Sequence, residues 1–337
     1  MHYMVAVIGM MKVLVPYDDE ELLEIMHEIL DGHAEIIQSS RDIDSMLEAG
    51  SDVEIVTSGR VHGEFIRKSP HLRLIHSFGA GVNNIDASAV LEQDDLIVCN
   101  CHVNAVEVAE YAIMLLLSVA KNIIINDRTL RRGDWTYGWA GPRPNIEIRN
   151  KVCLIIGLGN IGSEIAKRLS CFNLTLIGVT HSGNSSHDHL VNQVVSINDL
   201  SPHLEEADFV ILSLPLTKET RNLVDTDFIS KMKSSSILIN ISRGGIVDES
   251  ALYKALDSGA IFGAGIDVWW EYPSKRGGTA YPSNTPFHEL DSVVMSPHRA
   301  AYSENIQEDQ IRFVAENVLR FIKGESPHNI VDMTKGY

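Results

Sequence analysis

The sequence predicts an α/β protein made of two doubly wound parallel-sheet domains, the first of them interrupted by the second. Three observations predict it. Short apolar runs bounded by turn residues alternate with amphipathic stretches. The alternation restarts from Lys151, in a segment that contains a glycine turn at 157–162. A closing helical stretch, about 303–323, is long enough to return to the first domain. Such alternation implies parallel strands with helices on both faces. A length of 337 residues suits two domains, and 45% apolar residues let each bury a core.

Along the chain, 12–16 reads as a strand and 20–30 as an amphipathic helix. Residues 53–57, 72–76 and 96–100 are further short strands. A helix apolar nearly all round, hence buried, is expected from about Val106 to Ile125. A loop rich in Gly, Trp and Pro follows at 133–145. Strands then read at 152–156, 174–179, 209–212, 236–240, 261–266 and 293–295, with helices at 162–169 and 251–258. The expected division is 1–103 plus 300–337 for one domain and 104–299 for the other. No internal repeat or low-complexity stretch is visible.

Charge narrows the function classes. Against 28 Lys and Arg stand 45 Asp and Glu, a net charge of −17. Nucleic acid and anionic membrane surfaces need a basic face, so neither is an expected partner. A small basic pocket for an anionic substrate remains compatible. No apolar run approaches the roughly 18 residues of a membrane span; the longest, 112–119, is closed by Lys121. Residues 1–10 are apolar but lack a basic leader region, so they read as an extension rather than a signal, with Met11 a second candidate start. The four cysteines, 99, 101, 153 and 171, show no metal-ligand spacing, and no metal is expected. They read as structural thiols of a cytoplasmic protein.

The turn Gly157-Leu158-Gly159-Asn160-Ile161-Gly162 carries chemistry because of its context. A buried strand, 152–156, enters it and a helix leaves it. Gly157 permits the tight turn, Gly159 lets a pyrophosphate approach the backbone, and Gly162 lets helix and strand pack closely. The helix start offers N–H groups and a positive dipole end to phosphates. This is the Rossmann-like dinucleotide site. Its usual acidic residue, about 20 positions on, is missing: the second strand ends Thr180-His181-Ser182-Gly183. An acid there would repel a 2′-phosphate, whereas hydroxyls and an imidazole can bond one. The cofactor expected is NADP or NAD, leaning to NADP.

Further on come Asn240-Ile241-Ser242-Arg243-Gly244-Gly245, then Gly265-Ile266-Asp267-Val268-Trp269-Trp270-Glu271-Tyr272-Pro273, then Ser296-Pro297-His298-Arg299-Ala300. With the glycine turn, this order resembles the D-2-hydroxyacid dehydrogenase family, which includes phosphoglycerate, D-lactate, glyoxylate/hydroxypyruvate, formate and phosphonate-type dehydrogenases. The resemblance runs from about residue 12 to 337. It implies a flavodoxin-like substrate domain split by the dinucleotide-binding domain, and a homodimer. It also implies that the loop Phe78-Gly79-Ala80-Gly81-Val82 receives the substrate carboxylate on the N–H groups of Ala80 and Gly81. Val108, at the start of the long helix, would line the nicotinamide site. Leu214, Pro215 and Thr220 would border the adenosine side, with Ile241, Ser242 and Ala300 also at the cofactor.

The chemistry can be derived beside the resemblance. A planar cation must fix the carboxylate and polarise the carbonyl, which suits Arg243. A group titrating near neutrality must exchange the hydroxyl proton, which suits His298. A carboxylate helps near the cationic oxidised nicotinamide, which suits Asp267 at a strand end.

One position breaks the family pattern. Most relatives pair the histidine with a glutamate five residues beyond the aspartate matching Asp267; here that residue is Tyr272. A glutamate would stabilise imidazolium. Tyr272 can only hydrogen-bond the ring, so His298 is expected to work with Tyr272 at a lower pKa. Glu271 should point the other way in an extended segment. Formate-dehydrogenase relatives also carry an uncharged residue at this position, so formate oxidation is an alternative. A non-catalytic dinucleotide-binding regulator is another. Trp135, Trp139 and Tyr281 lie in loops able to cap a cleft or pack on a second subunit, and no cluster of Arg near the substrate loop announces a phosphate, although Arg60 could approach it.

Overall fold

The computed structural model describes residues 10–17, 19–275 and 277–337. The reading of residues 1–10 as an extension falls, apart from Met10, outside them. The chain forms two compact units: Met1–Asn104 with Ser303–Tyr337, and Ala105–Tyr302.

The first unit holds a five-stranded parallel sheet in the order Ala34–Gln38, Met11–Val15, Ile55–Thr57, Leu74–His76, Ile97–Cys99. That is the flavodoxin-like order, with the first strand second from the edge. The helix Glu20–Leu30 starts where the Asp19 side chain accepts from Leu22 N, and Glu20 and Glu21 favour its positive end. Its face Leu22, Ile25, Met26 and Leu30 forms one apolar cluster with Ile311, Val314 and Val318 of the helix Ile306–Ile322. The closing helix therefore completes the first unit's core.

The second unit holds seven parallel strands in the order Gln193–Ser196, Thr175–Thr180, Val152–Ile156, Phe209–Leu212, Ile237–Asn240, Gly263–Ile266, Val293–Met295. The order reverses between Val152–Ile156 and Phe209–Leu212, and the glycine turn leaves the sheet at that switch point, where α/β sheets bind their ligands. Helix Ala105–Ala120 buries Val108, Ala112, Leu115, Leu116 and Val119 in the core beneath the sheet. Glycines in Gly263–Ile266 let it come close. A Cβ on Gly265 would stand 2.9 Å from Leu115 Cβ, and one on Gly263 2.8 Å from Val119 Cγ1.

One expected element is corrected. The single helix from Val106 to Ile125 is two helices, Ala105–Ala120 and Ile123–Leu130, bent by 63° at the break. Asn122 adopts the left-handed conformation (φ 53°), which its short polar side chain tolerates. Its amide donates to Pro144 O and Asn145 Oδ1. Apolar periodicity continues through Ile123 and Ile124, so the pattern alone does not show the break. Those two side chains face outward, 49% and 51% exposed. The strands Ala34–Gln38 and Gln193–Ser196 went unpredicted because, at sheet edges, they mix polar residues into short runs.

Candidate active site

Three loops at the strand ends of the second unit carry the site. After Ile237–Asn240 the chain turns through Ser242 and Arg243. Asn240 fixes this turn: its Oδ1 accepts from Ser242 N at 3.1 Å and its Nδ2 donates to Arg243 O at 3.1 Å. Ser242 Oγ accepts from Leu214 N at 3.0 Å, tying this loop to the one after Phe209–Leu212. The half-buried Arg243 side chain donates back to Ser242 O at 2.7 Å. Among the described residues its guanidinium hydrogen-bonds through one nitrogen, which leaves most of its donor fork without a protein acceptor.

Asp267 follows Gly263–Ile266 and is 1% exposed. Its oxygens accept from Ser296 Oγ at 2.5 Å, Arg299 N at 2.8 Å and Ala300 N at 3.0 Å. These donors flank His298, which sits in the left-handed region at φ 56°. A histidine there is strained, and such strain persists only where the surroundings impose it. Asp267 imposes it, helped by Trp269, whose Nε1 donates to Ser296 O at 2.7 Å. Ser296 Oγ also meets Tyr111 OH at 2.7 Å, extending the brace to helix Ala105–Ala120. The carboxylate expected beside the nicotinamide is thus foremost the anchor of the histidine loop.

His298 Nδ1 lies 3.0 Å from Tyr272 OH. The same phenol oxygen accepts from Trp269 N at 3.1 Å. Partial burial and the positive charge of Arg243 push the His298 pKa down, while Asp267 opposes them. Burial raises the Tyr272 pKa, opposed by the Trp269 N–H and by Arg243. Burial lowers that of Arg243, which remains protonated at any working pH. Glu271 is exposed, and its N–H donates to Pro282 O.

The glycine turn fits a dinucleotide. Gly157 has φ 99°, and a Cβ there would collide with Ser213 O. A Cβ on Gly162 would collide with Gly157 O, whereas Gly159 faces open space. Helix Asn160–Leu169 starts at Gly159 without a side-chain cap, so Asn160, Ile161 and Gly162 leave N–H groups for phosphate oxygens. At the end of Thr175–Thr180, Thr180 Oγ1 donates to Asn184 O, and the exposed His181 and Ser182 follow. No acid occurs there before Asp188. Leu214 and Pro215 follow Phe209–Leu212, and Thr220 Oγ1 closes their turn by donating to Pro215 O. Val108, Ile241 and Ala300 are at most 6% exposed.

In the first unit the loop 77–82 is held by its neighbour strand. Ser77 N donates to Cys99 O, Cys101 N to Gly79 O, and Asn100 Nδ2 to Ala80 O. No protein acceptor among the described residues takes the N–H of Ala80 or Gly81. Below the loop, the fully buried His76 donates from Nδ1 to Ser77 O and accepts from Asn317 Nδ2 at Nε2. Burial drives its pKa down to about 4.

Sequence reasoning singled out Arg243, Asp267, Tyr272 and His298, and the structure gathers all four. It passed over Asn240, Ser296, Trp269 and Tyr111. All but Tyr111 stood in the quoted motifs, but Ser296, Trp269 and Tyr111 brace partners 27 or more positions away, which no motif reveals.

Comparisons with known proteins agree with this geometry. The family described as D-isomer specific 2-hydroxyacid dehydrogenase, NAD binding domain, matches residues 113–300. A D-3-phosphoglycerate dehydrogenase of Methanocaldococcus jannaschii is 32% identical over 96% of this chain, which spans only 60% of that protein's length. A glyoxylate reductase of Pyrococcus horikoshii is 32% identical over 92% of this chain and 87% of its own. The solved structure of an NADPH-dependent glyoxylate/hydroxypyruvate reductase from Sinorhizobium meliloti, in complex with NADP and malonate, superposes with a TM-score of 0.79 at 26% identity, covering 97% of this chain and 98% of that one. The chain belongs to the D-2-hydroxyacid dehydrogenase family of NAD(P)-dependent oxidoreductases.

Proposed function

We propose that the protein reduces small 2-keto acids to D-2-hydroxy acids, with NADPH preferred to NADH. The observation that carries this reading is the open Arg243 guanidinium in the same site as the His298 imidazole. When bound, the dinucleotide supplies the hydride. Gly157, Gly159, Asn160, Ile161 and Gly162 hold its pyrophosphate, and Leu214, Pro215 and Thr220 border its adenosine. Val108, Ile241, Ser242, Asp267 and Ala300 surround its nicotinamide end.

Arg243 binds the substrate carboxylate and polarises the carbonyl. His298, oriented by Tyr272, delivers the proton from Nε2. In the first unit the N–H groups of Ala80 and Gly81 receive a carboxylate. The NADPH preference is supported by the absence of an acid at the end of Thr175–Thr180, where Thr180, His181 and Ser182 offer hydroxyls and an imidazole instead.

A homodimer is supported by exposed apolar side chains on and after the two helices of the break: Met114, Ile123, Ile124, Leu130, Trp135 and Trp139. Four unpaired cysteines support a cytoplasmic setting. The test is nicotinamide absorbance with glyoxylate, hydroxypyruvate, pyruvate, phenylpyruvate and formate, each run with both cofactors. Reduction of at least one keto acid, faster with NADPH, is expected. Turnover of formate alone, or tight dinucleotide binding without turnover, rejects the reading.

A further inference from the structure

We propose that Tyr272 serves as the proton reservoir of the reduction. As the proton on His298 Nε2 passes to the substrate oxygen, the Tyr272 hydroxyl proton moves onto Nδ1. The inference rests on the keto-acid reading above and adds where the proton comes from.

The geometry limits the possible states. A neutral imidazole carries one proton. The Tyr272 oxygen has one hydrogen and two lone pairs, and Trp269 N–H occupies one lone pair at 3.1 Å. When the phenol donates to Nδ1 across 3.0 Å, the hydroxyl hydrogen and Nδ1 are both matched, one phenol lone pair stays open, and the ring proton sits on Nε2. A carboxylate in place of Tyr272 accepts only, so it would hold the proton on Nδ1 and leave Nε2 bare unless the ring became charged. In that arrangement the neutral histidine is a proton donor at rest.

Among the described residues, three charged or titratable groups act on the ring: Arg243 from the loop after Ile237–Asn240, Asp267 at the end of Gly263–Ile266, and Tyr272 itself. Arg299 instead stacks over Tyr302, 4.7 Å from the ring centre. Burial and then Arg243 disfavour imidazolium. A donor that never needs to charge overcomes that.

The step balances. The carbonyl carbon gains the hydride of the family's reaction and is reduced, and the nicotinamide is oxidised. The carbonyl π pair takes the Nε2 proton and becomes the hydroxyl. The imidazole keeps one proton, now on Nδ1, and Tyr272 is left as phenolate beside Trp269 N–H and Arg243. Tyr272 is 49% exposed, so solvent can return its proton.

Nitrogen-15 NMR of the protein without dinucleotide reads the first half, with His298 assigned by His298→Gln. The proposal predicts the Nε2–H tautomer in the native protein and the Nδ1–H tautomer in Tyr272→Glu. The second half is read by solvent-deuterium proton inventory during glyoxylate reduction, which should be bowed in the native enzyme and straight in Tyr272→Phe. The native kcat/KM should also stay level from pH 6 to 8, while that of Tyr272→Phe falls about tenfold per unit above the His298 pKa. An Nδ1–H tautomer in the native protein, or a straight native inventory with an unchanged Tyr272→Phe profile, overturns the relay alone. No turnover with any keto acid overturns the function reading and the relay with it.

Discussion

The two units each place a histidine in a loop or strand next to a proposed ligand loop, and they treat it in opposite ways. His76 is fully buried, bonded on both ring nitrogens within its own unit and held neutral. Among the described residues His298 is bonded on one nitrogen only; it stands at the surface of its unit and has a charged guanidinium near it. In the first case the imidazole is a structural connector between Leu74–His76 and Ile306–Ile322. In the second, the brace is a buried aspartate and the imidazole is left with a nitrogen for chemistry. Identity as histidine decides little; the number of satisfied ring nitrogens decides the role.

Several variants would break or sharpen this contrast. The largest effect is expected from Arg243→Ala. Losing a charged partner of this kind costs about 2–5 kcal/mol, so kcat/KM for glyoxylate should fall by roughly 30- to 5,000-fold. Thermal stability should change little, which differential scanning calorimetry would check.

The histidine of the first unit should show itself in stability. Its folded pKa of about 4 lies below the unfolded value near 6.5. The unfolded chain therefore binds the proton more readily. Stability is full above about pH 6.5 and is lost as pH falls toward 4, by about 3 kcal/mol for this group. Urea unfolding at both pH values, compared with His76→Gln, would read it; an equal pH dependence in the variant would contradict the buried neutral histidine.

Asp267→Asn replaces an acceptor of three loop hydrogen bonds by an amide with one acceptor oxygen. The expected loss is about 1–3 kcal/mol of stability, together with a lower kcat as His298 leaves its strained conformation. Unchanged kcat would mean that the loop holds itself. Gly265→Ala should cost about 1–3 kcal/mol through overpacking against Leu115 and Ile239, with dinucleotide affinity retained.

The same contrast explains what was legible in the sequence. The glycine turn declares itself because Gly157 and Gly162 meet backbone constraints that other residues cannot meet. Arg243, Asp267 and His298 stand in short ordered motifs, and Tyr272 is conspicuous as a departure from one. The break at Asn122 was illegible because it depends on one backbone angle and on Pro144 and Asn145, more than twenty residues on. The network of His76, Asn317 and His328 joins residues over two hundred positions apart, so no local pattern carries it.

The most direct measurement sets the two histidines side by side: NADPH-dependent glyoxylate reduction by the native protein, His298→Gln and His76→Gln. The account predicts turnover by the native protein, its loss in His298→Gln with dinucleotide binding retained, and turnover in His76→Gln at reduced stability. Activity retained in His298→Gln, or abolished in a folded His76→Gln, would contradict it.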